Sequence, residues 1–349
     1  MPASLPTYRS MNPAPLRPRT LSRRQFLHAS LACAGTAALG LGGCTPQPPP
    51  LRIGTNLWLG YEFMFLARDQ HMLDTARVRL VELLSASDCL QALSAGTLEG
   101  AGLTLDEVLS ARAEGLDLQV VMVFNTSDGA DRVLARREIS GPRDLIGRRV
   151  GVEQSAVGAL MLAAMLNEHG MHKRDIEVVR LTSDEHYRAF ADDALDAVIT
   201  FEPHATRLLR DGAHVIFDSR MLPGMVLDVL AVTRASLQAR QQDICHLVDA
   251  HYAGLARYHA DPLGTAQLLS LRQGLTPGEL MDSLTGMQLL DREDNRQLFS
   301  GDARPLRDTA LALHRIMMDN GLLGSGQHTD AQALLQGLFD ARCLTGTGG

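Results

Sequence analysis

The sequence predicts an α/β protein of two lobes, joined by a hinge that the chain crosses twice and completed by a helical segment at its C-terminal end. Three observations carry this prediction. Strand-like and helix-like segments alternate from Leu51 to about Thr233, the pattern of a parallel α/β architecture. The order restarts after a turn containing Pro142, so two units of similar order follow one another. A local echo links them: Ala101-Gly-Leu-Thr104-Leu-Asp106 and Ala197-Val-Ile-Thr200-Phe-Glu202 share the pattern Ala-x-apolar-Thr-apolar-acid, each at a strand end feeding a helix.

In the first unit, Leu51 to Thr55 reads as a strand and Tyr61 to Gln70 as a helix with apolar residues at helical spacing. Val78 to Leu84 is the next strand, Ser87 to Ala95 a helix stopped by Gly96, and Ala101 to Leu103 a short buried strand. Thr104-Leu-Asp-Glu107 is a capping box, with Thr at the N-cap and Glu at N3, opening a helix that Gly115 closes. Leu118 to Phe124 is a strand, Asn125 to Gly129 a turn, and Asp131 to Ala135 extended again.

The second unit runs through a strand at Arg149 to Val152, a helix from Ala156 to His169 closed by Gly170, and a strand at Ile176 to Leu181. A helix from Asp184, a strand at Ala197 to Thr200, a helix from Pro203 and strands at His214 to Asp218 and Leu227 to Thr233 complete it. Everything beyond Arg234 reads as helical, and Thr276-Pro-Gly-Glu279 is a strong helix start with Pro at N1 inside a capping box. Asp131 to Ala135 and Leu227 to Val232 are the extended segments placed to form the two hinge crossings.

Ahead of this fold lies an address. Ser22-Arg-Arg-Gln-Phe-Leu27 precedes an apolar run, shorter than the ~20 residues of a spanning helix, that ends in Leu41-Gly-Gly-Cys44. The Arg pair matches a twin-arginine export signal, and Leu-Gly-Gly-Cys resembles the lipobox after which a bacterial lipoprotein is cut and acylated on its cysteine. Residues 1–43 are therefore expected to be an export signal, Cys44 a lipidation site, and residues 44–50 a Pro-rich extended tether. Thr45, rather than Asp, after that cysteine leaves the final membrane open.

Without the signal the chain keeps 306 residues, enough for two lobes, with 28 Lys plus Arg against 40 Asp plus Glu. That acidic balance disfavours nucleic acid, which needs a basic face. Cys89, Cys245 and Cys343 then remain, and their odd number and long spacing lead us to expect no disulfide framework. His169-Gly-Met-His172 reads as a helix end and loop, so no metal and no cofactor is assigned.

Further residues carry a resemblance. Trp58-Leu-Gly-Tyr-Glu62, Leu98-Glu99 before a short Ala-rich strand, Asp144-Leu-Ile-Gly-Arg-Arg-Val-Gly151 and Phe201-Glu-Pro203 at a helix start resemble the solute-binding proteins of ABC importers. The class is the one serving nitrate, sulfonates, taurine and thiamine-pyrimidine precursors. The resemblance implies a type 2 periplasmic binding protein fold, with residues 51–131 plus 229–349 as lobe one and 132–228 as lobe two. It also implies a monomeric periplasmic receptor that passes a small-molecule ligand to a membrane permease, and the lipid anchor expected at Cys44 agrees with it independently. A sensory subunit for a membrane signalling protein is the alternative, and an enzyme on the same fold is a further one, although no Gly-x-Ser-x-Gly, Gly-x-x-x-x-Gly-Lys or His-Glu-x-x-His motif is present.

In open parallel sheets ligands bind beyond the carboxyl ends of the strands, which singles out a set of residues. Trp58 offers a flat apolar wall or packs on the next helix, and Tyr61 a hydroxyl donor or helix packing. Thr104 and Asp106 open a helix, where capping and the helix dipole explain them as well as a ligand does. Ser127 and Asp128 sit in the turn before the hinge, and Gln154, Ser155 and Ala156 lead a helix whose N–H groups suit an anion or carbonyl. Glu202 faces the cleft by its echo with Asp106, and Asp228 lies on the second hinge strand. This set is richer in carboxylates than in arginines, which favours a ligand carrying donors, such as an amine or amino-substituted heterocycle, over a simple anion.

Overall fold

The computed structural model describes residues 48–153, 157–323 and 329–345. Residues 49–349 form one compact unit with its own core. The strands are β1 (Leu51–Thr55), β2 (Val78–Glu82), β3 (Gly100–Thr104), β4 (Leu118–Ser127), β5 (Arg132–Ala135), β6 (Arg149–Val152), β7 (Glu177–Arg180), β8 (Ala197–Thr200), β9 (His214–Asp218), β10 (Leu227–Thr233) and β11 (Met287–Leu289). The helices that position the site are α1 (Glu62–Asp69), α2 (Ala86–Ser94), α3 (Leu105–Ala113) and α4 (Val157–Glu168).

Two sheets form, in the orders β11-β4-β10-β3-β1-β2 and β7-β6-β8-β5-β9. In the first, β1 runs parallel to β2 and β3, and β10 lies antiparallel between β3 and β4. The second repeats the arrangement, with β6 parallel to β7 and β8 and with β5 antiparallel between β8 and β9. β5 leaves the first sheet to complete the second, and β10 returns to complete the first, so the chain crosses between lobes twice.

The echo falls on equivalent strands. Thr104 at the end of β3 stands opposite Asp228 of β10, and Thr200 at the end of β8 stands opposite Arg132 of β5. One register therefore places an acid in the first lobe and a base in the second. The central strands β3, β4 and β10 are almost wholly buried and apolar, as expected of strands covered on both faces. Gly102 of β3 makes room for the Tyr61 ring, whose carbons lie 2.8 Å from where a Cβ would sit.

Three expectations need correction. β4 runs on through Ser127, because β10 and β11 supply partners for residues 125–127 where the sequence suggested a turn. Beyond Arg234 the chain is not all helix: β11 adds itself to the edge of the first sheet. Cys245 and Cys343 form a disulfide across 98 residues, tying the C-terminal segment to the helix Gln241–Ala260, while Cys89 is free and buried. Odd count and long spacing did not bear on that pair, because the fold, not the sequence distance, brings the two sulfurs together.

Candidate functional site

The ends of β1, β3, β6 and β8 converge on a cleft between the lobes. After β1, Trp58 is held extended and leads into a single 3-10 turn, Leu59–Tyr61. Its indole Nε1 donates to Asn125 Oδ1 at 3.2 Å, and Asn125 Nδ2 donates to Asp228 Oδ2 at 2.7 Å. Tyr61 donates its hydroxyl to the other Asp228 oxygen at 3.1 Å. One buried carboxylate on the second hinge strand thus fixes both aromatic side chains of the first loop.

Across the cleft Phe201, following β8, meets Trp58 edge to face, with ring centroids 5.7 Å apart. Asn56, Ala86, Thr104 and Glu107 of the first lobe, Asp131 at the crossing and Val157 of the second complete the lining. The space between them is about 20 Å³ for a water centre, room for one or two waters. A larger solute reaches these groups only when the lobes part.

The cleft is strongly acidic. Burial pushes Asp131 up to about 7 and Asp106 up to about 6. Asp228 and Glu107 are held well above the usual carboxylate range, first by burial and then by the neighbouring charges of Asp131 and Asp106 respectively. Glu107 accepts the Thr104 backbone N–H at 2.8 Å, half of the expected capping box. The Thr104 hydroxyl lies beside the N3 N–H and Asp106 without a full hydrogen bond to either, and both Thr104 Oγ1 and Asp106 Oδ1 are buried without a partner.

Beside the cleft, Glu153 at the end of β6 reaches into the other lobe. Its Oε1 accepts the Ser87 backbone N–H at 3.0 Å and the Ser87 hydroxyl at 2.5 Å, at the N-terminus of α2. On the far side of the lobe junction Thr206 and Ser283 exchange a hydroxyl hydrogen bond at 3.0 Å, and Arg207 donates to the Gln273 carbonyl at 2.6 Å.

Of the residues singled out in sequence, Trp58, Tyr61, Thr104 and Asp228 are brought together at the cleft, with Asp106 buried behind Thr104. Three stand elsewhere. Ser127 bonds Ser219 at 2.8 Å and receives the Asp131 N–H at 3.2 Å, so it braces the hinge crossing. Asp128 is exposed and turned toward Gln288. Glu202 does not face the cleft: it is fully buried, paired with Arg132 at 2.9 Å and accepting the Thr206 N–H at 3.0 Å. Gln154, Ser155, Ala156 and Cys44 lie outside the described residues.

Sequence reasoning missed Asn125, Asp131, Glu153 and Phe201. Phe201 was inside the echo, and Asp131 opened the first hinge segment, so both carried a signal. Asn125 and Glu153 carried none, since their roles depend on partners 103 and 66 residues away. A second cavity of about 220 Å³ lies between α4 and Asn320–Leu322, lined by apolar residues such as Leu162 and Leu166 and by the polar Asn167, His172 and Lys173. It lacks the converging acids and aromatic rings of the cleft.

Comparison with known proteins agrees with this geometry. The sequence profile of a family described as NMT1/THI5 like matches residues 77–264, more than half of the chain. The taurine-binding periplasmic protein of Escherichia coli is 23% identical over 138 residues, 40% of this chain and 43% of that protein, so the chain spans less than half the length of that relative. The alkanesulfonate-binding protein SsuA from Xanthomonas axonopodis pv. citri, solved with MOPS, superposes with a TM-score of 0.71 at 20% identity, covering 85% of this chain and 100% of that one. The desulfurization enzyme DSZB superposes with a TM-score of 0.57 at 18% identity, over 84% of this chain and 98% of that one. The fold is that of the type 2 periplasmic binding proteins, two α/β lobes with a hinge of two crossings and a C-terminal helical segment.

Proposed function

Because the chain belongs to the NMT1/THI5-like family, we propose that it is the solute-binding component of an ABC importer, closing two lobes over a small organic molecule. The observation that carries this is the cleft itself: Trp58 and Phe201 come from opposite lobes and touch, and both hinge strands end beside them. Parting the lobes about β5 and β10 exposes the acids and rings, and closing them buries a solute there. Residues 51–131 plus 229–349 form one moving body and residues 132–228 the other. Trp58, Tyr61, Thr104, Asp106 and Asp228 supply the contacts.

The receptor is exported by the twin-arginine route and anchored through lipid on Cys44 beside a membrane permease. No described helix is long and apolar enough to cross a membrane. A disulfide between Cys245 and Cys343 suits an oxidising compartment.

DSZB gives a second reading, an enzyme on this fold, a specific point in its favour. A thermal-shift screen of residues 49–349 separates the two. A solute at 100 times its dissociation constant adds ~2.7 kcal/mol of stability. Recovery of that solute chemically unchanged after prolonged incubation supports a receptor, and its conversion supports the enzyme.

A further inference from the structure

Resting on the reading of Cys44 as the lipid anchor, we propose that a groove beside the entry of the chain into lobe one seats the phosphate groups of anionic phospholipids and lays this end of the receptor on the bilayer. The groove, of about 620 Å³, is walled by Pro49 and Pro50, by Arg52 of β1 and Arg79 of β2, and by Arg240 after the helix Arg234–Ala239.

Charge is the first argument. Arg52 and Arg79 are register partners on the parallel strands β1 and β2, so their side chains leave the same face of the sheet edge side by side. Glu99 answers one of them, accepting Arg52 Nε at 3.0 Å. Arg240 pairs with Asp243 at 2.6 Å, and Arg77 shares that carboxylate at 2.6 Å. Arg79 is exposed and has no ion pair or side-chain hydrogen bond among the described residues. Arg52, Arg77, Arg79 and Arg240 therefore share two acids, in a chain that beyond its signal carries 28 Lys plus Arg against 40 Asp plus Glu. An anion between such like charges relieves their repulsion, and the guanidinium fork matches phosphate oxygens.

Position supplies the occupant. Arg240 Nη1 donates to the Pro49 carbonyl at 3.0 Å, which pins the incoming chain to the groove. Cys44 stands five residues before Pro49, and five residues span at most about 18 Å. Lipid on Cys44 therefore keeps the groove close to the headgroup layer. The acidic remainder of the chain is repelled by an anionic bilayer, so the basic end beside the tether is the one that settles on it. β1 runs from the groove toward Trp58, and the docked receptor thus holds its cleft away from the lipid.

Residues 44–349 are prepared with Cys44 coupled through its thiol to a maleimide-bearing phospholipid. Cys89 is buried and Cys245 is joined to Cys343, so Cys44 takes the reagent. The product is placed on vesicles of phosphatidylcholine alone, or of equal parts phosphatidylcholine and phosphatidylglycerol, and amide hydrogen exchange is followed across residues 77–82 and 235–241. Exchange in both segments should slow several-fold on the vesicles containing phosphatidylglycerol and stay unchanged on phosphatidylcholine. Arg79→Gln should remove most of that protection, since one arginine at an anionic surface changes the bound population about fivefold, and should leave the melting temperature as it is. Equal protection on both vesicles, protection that survives Arg79→Gln, or no protection on either overturns the proposal. Inorganic phosphate that protects the uncoupled protein as well as the vesicles do also overturns it, because the groove then serves a soluble anion. The lipid is supplied chemically, so these results do not depend on whether the cell acylates Cys44, which the mass of the protein purified from membranes decides separately.

Discussion

Trp58 and Phe201 stand on different lobes, and their rings meet edge to face at 5.7 Å with an interplanar angle of 83°. The cleft is therefore closed by an aromatic contact that has to break whenever a solute enters. Edge-to-face pairs contribute roughly 0.5–1.5 kcal/mol beyond the area they bury. Replacing Phe201 by Leu should cost about 1 kcal/mol on that scale and move the emission of Trp58 to longer wavelength as water reaches the indole. Unchanged emission would place Trp58 away from a lobe contact.

The Glu153–Ser87 bonds join the lobes on one side of the cleft. Hydrogen bonds to a charged group contribute ~1.5–3 kcal/mol, so a double-mutant cycle with Glu153→Gln and Ser87→Ala should show coupling of that order. In small-angle scattering, Glu153→Ala should increase the radius of gyration, since the lobes lose a latch while each keeps its core.

Asp131 gives the chain a pH signature. Its ordinary value is 3.8, and burial raises it to about 7 in the folded chain. Between those limits the folded chain holds a proton that the unfolded chain has lost, so this group's contribution falls as pH rises. Asp106, raised to about 6, acts in the same direction. The buried His186, His204 and His251 act oppositely. Burial lowers them to about 3, about 4 and about 3 from 6.5, so the stability they contribute is present above 6.5 and is lost as pH falls. The difference between wild type and Asp131→Asn isolates the acid. Relative to the variant, wild type should gain up to about 4 kcal/mol as pH drops from above 7 to below 4, at 1.36 kcal/mol per pKa unit. Chemical denaturation at a series of pH values measures it, and a flat difference contradicts the burial of Asp131.

The Cys245–Cys343 disulfide closes a segment of 98 residues and secures a C-terminal segment that also places Phe339 against Val120. Removing a disulfide of this kind costs ~2–5 kcal/mol. Denaturation with and without reductant should show that loss, and Cys245→Ser with Cys343→Ser should abolish the difference. Cys89 is buried and its thiol is pushed well up by burial, so it should resist alkylation in the native protein.

Much of the architecture was legible because it is written in local pattern. Alternating strands and helices, the Thr104–Glu107 box and the Thr104/Thr200 echo each depend on a few adjacent residues, and the echo fell on equivalent strands of the two sheets. Contacts across the chain were not legible. Glu202 looked like a cleft residue because Asp106 did, yet the residue opposite Thr200 is Arg132, which takes its carboxylate, while the one opposite Thr104 is Asp228. That single difference between sister positions turns one acid inward and leaves the other lobe's acids crowded together. The disulfide and β11 were hidden for the same reason, since both join segments far apart in sequence.

Medium depletion tests the central claim most directly. Cells expressing the chain, cells lacking it and cells carrying Thr104→Val with Asp131→Asn are grown on a defined mixture of small nitrogenous and sulfonated compounds, and the medium is followed by mass spectrometry. The account predicts that one or a few compounds stay in the medium in both altered strains and disappear in the first. Identical depletion in all three strains would contradict a role as the receptor of an importer.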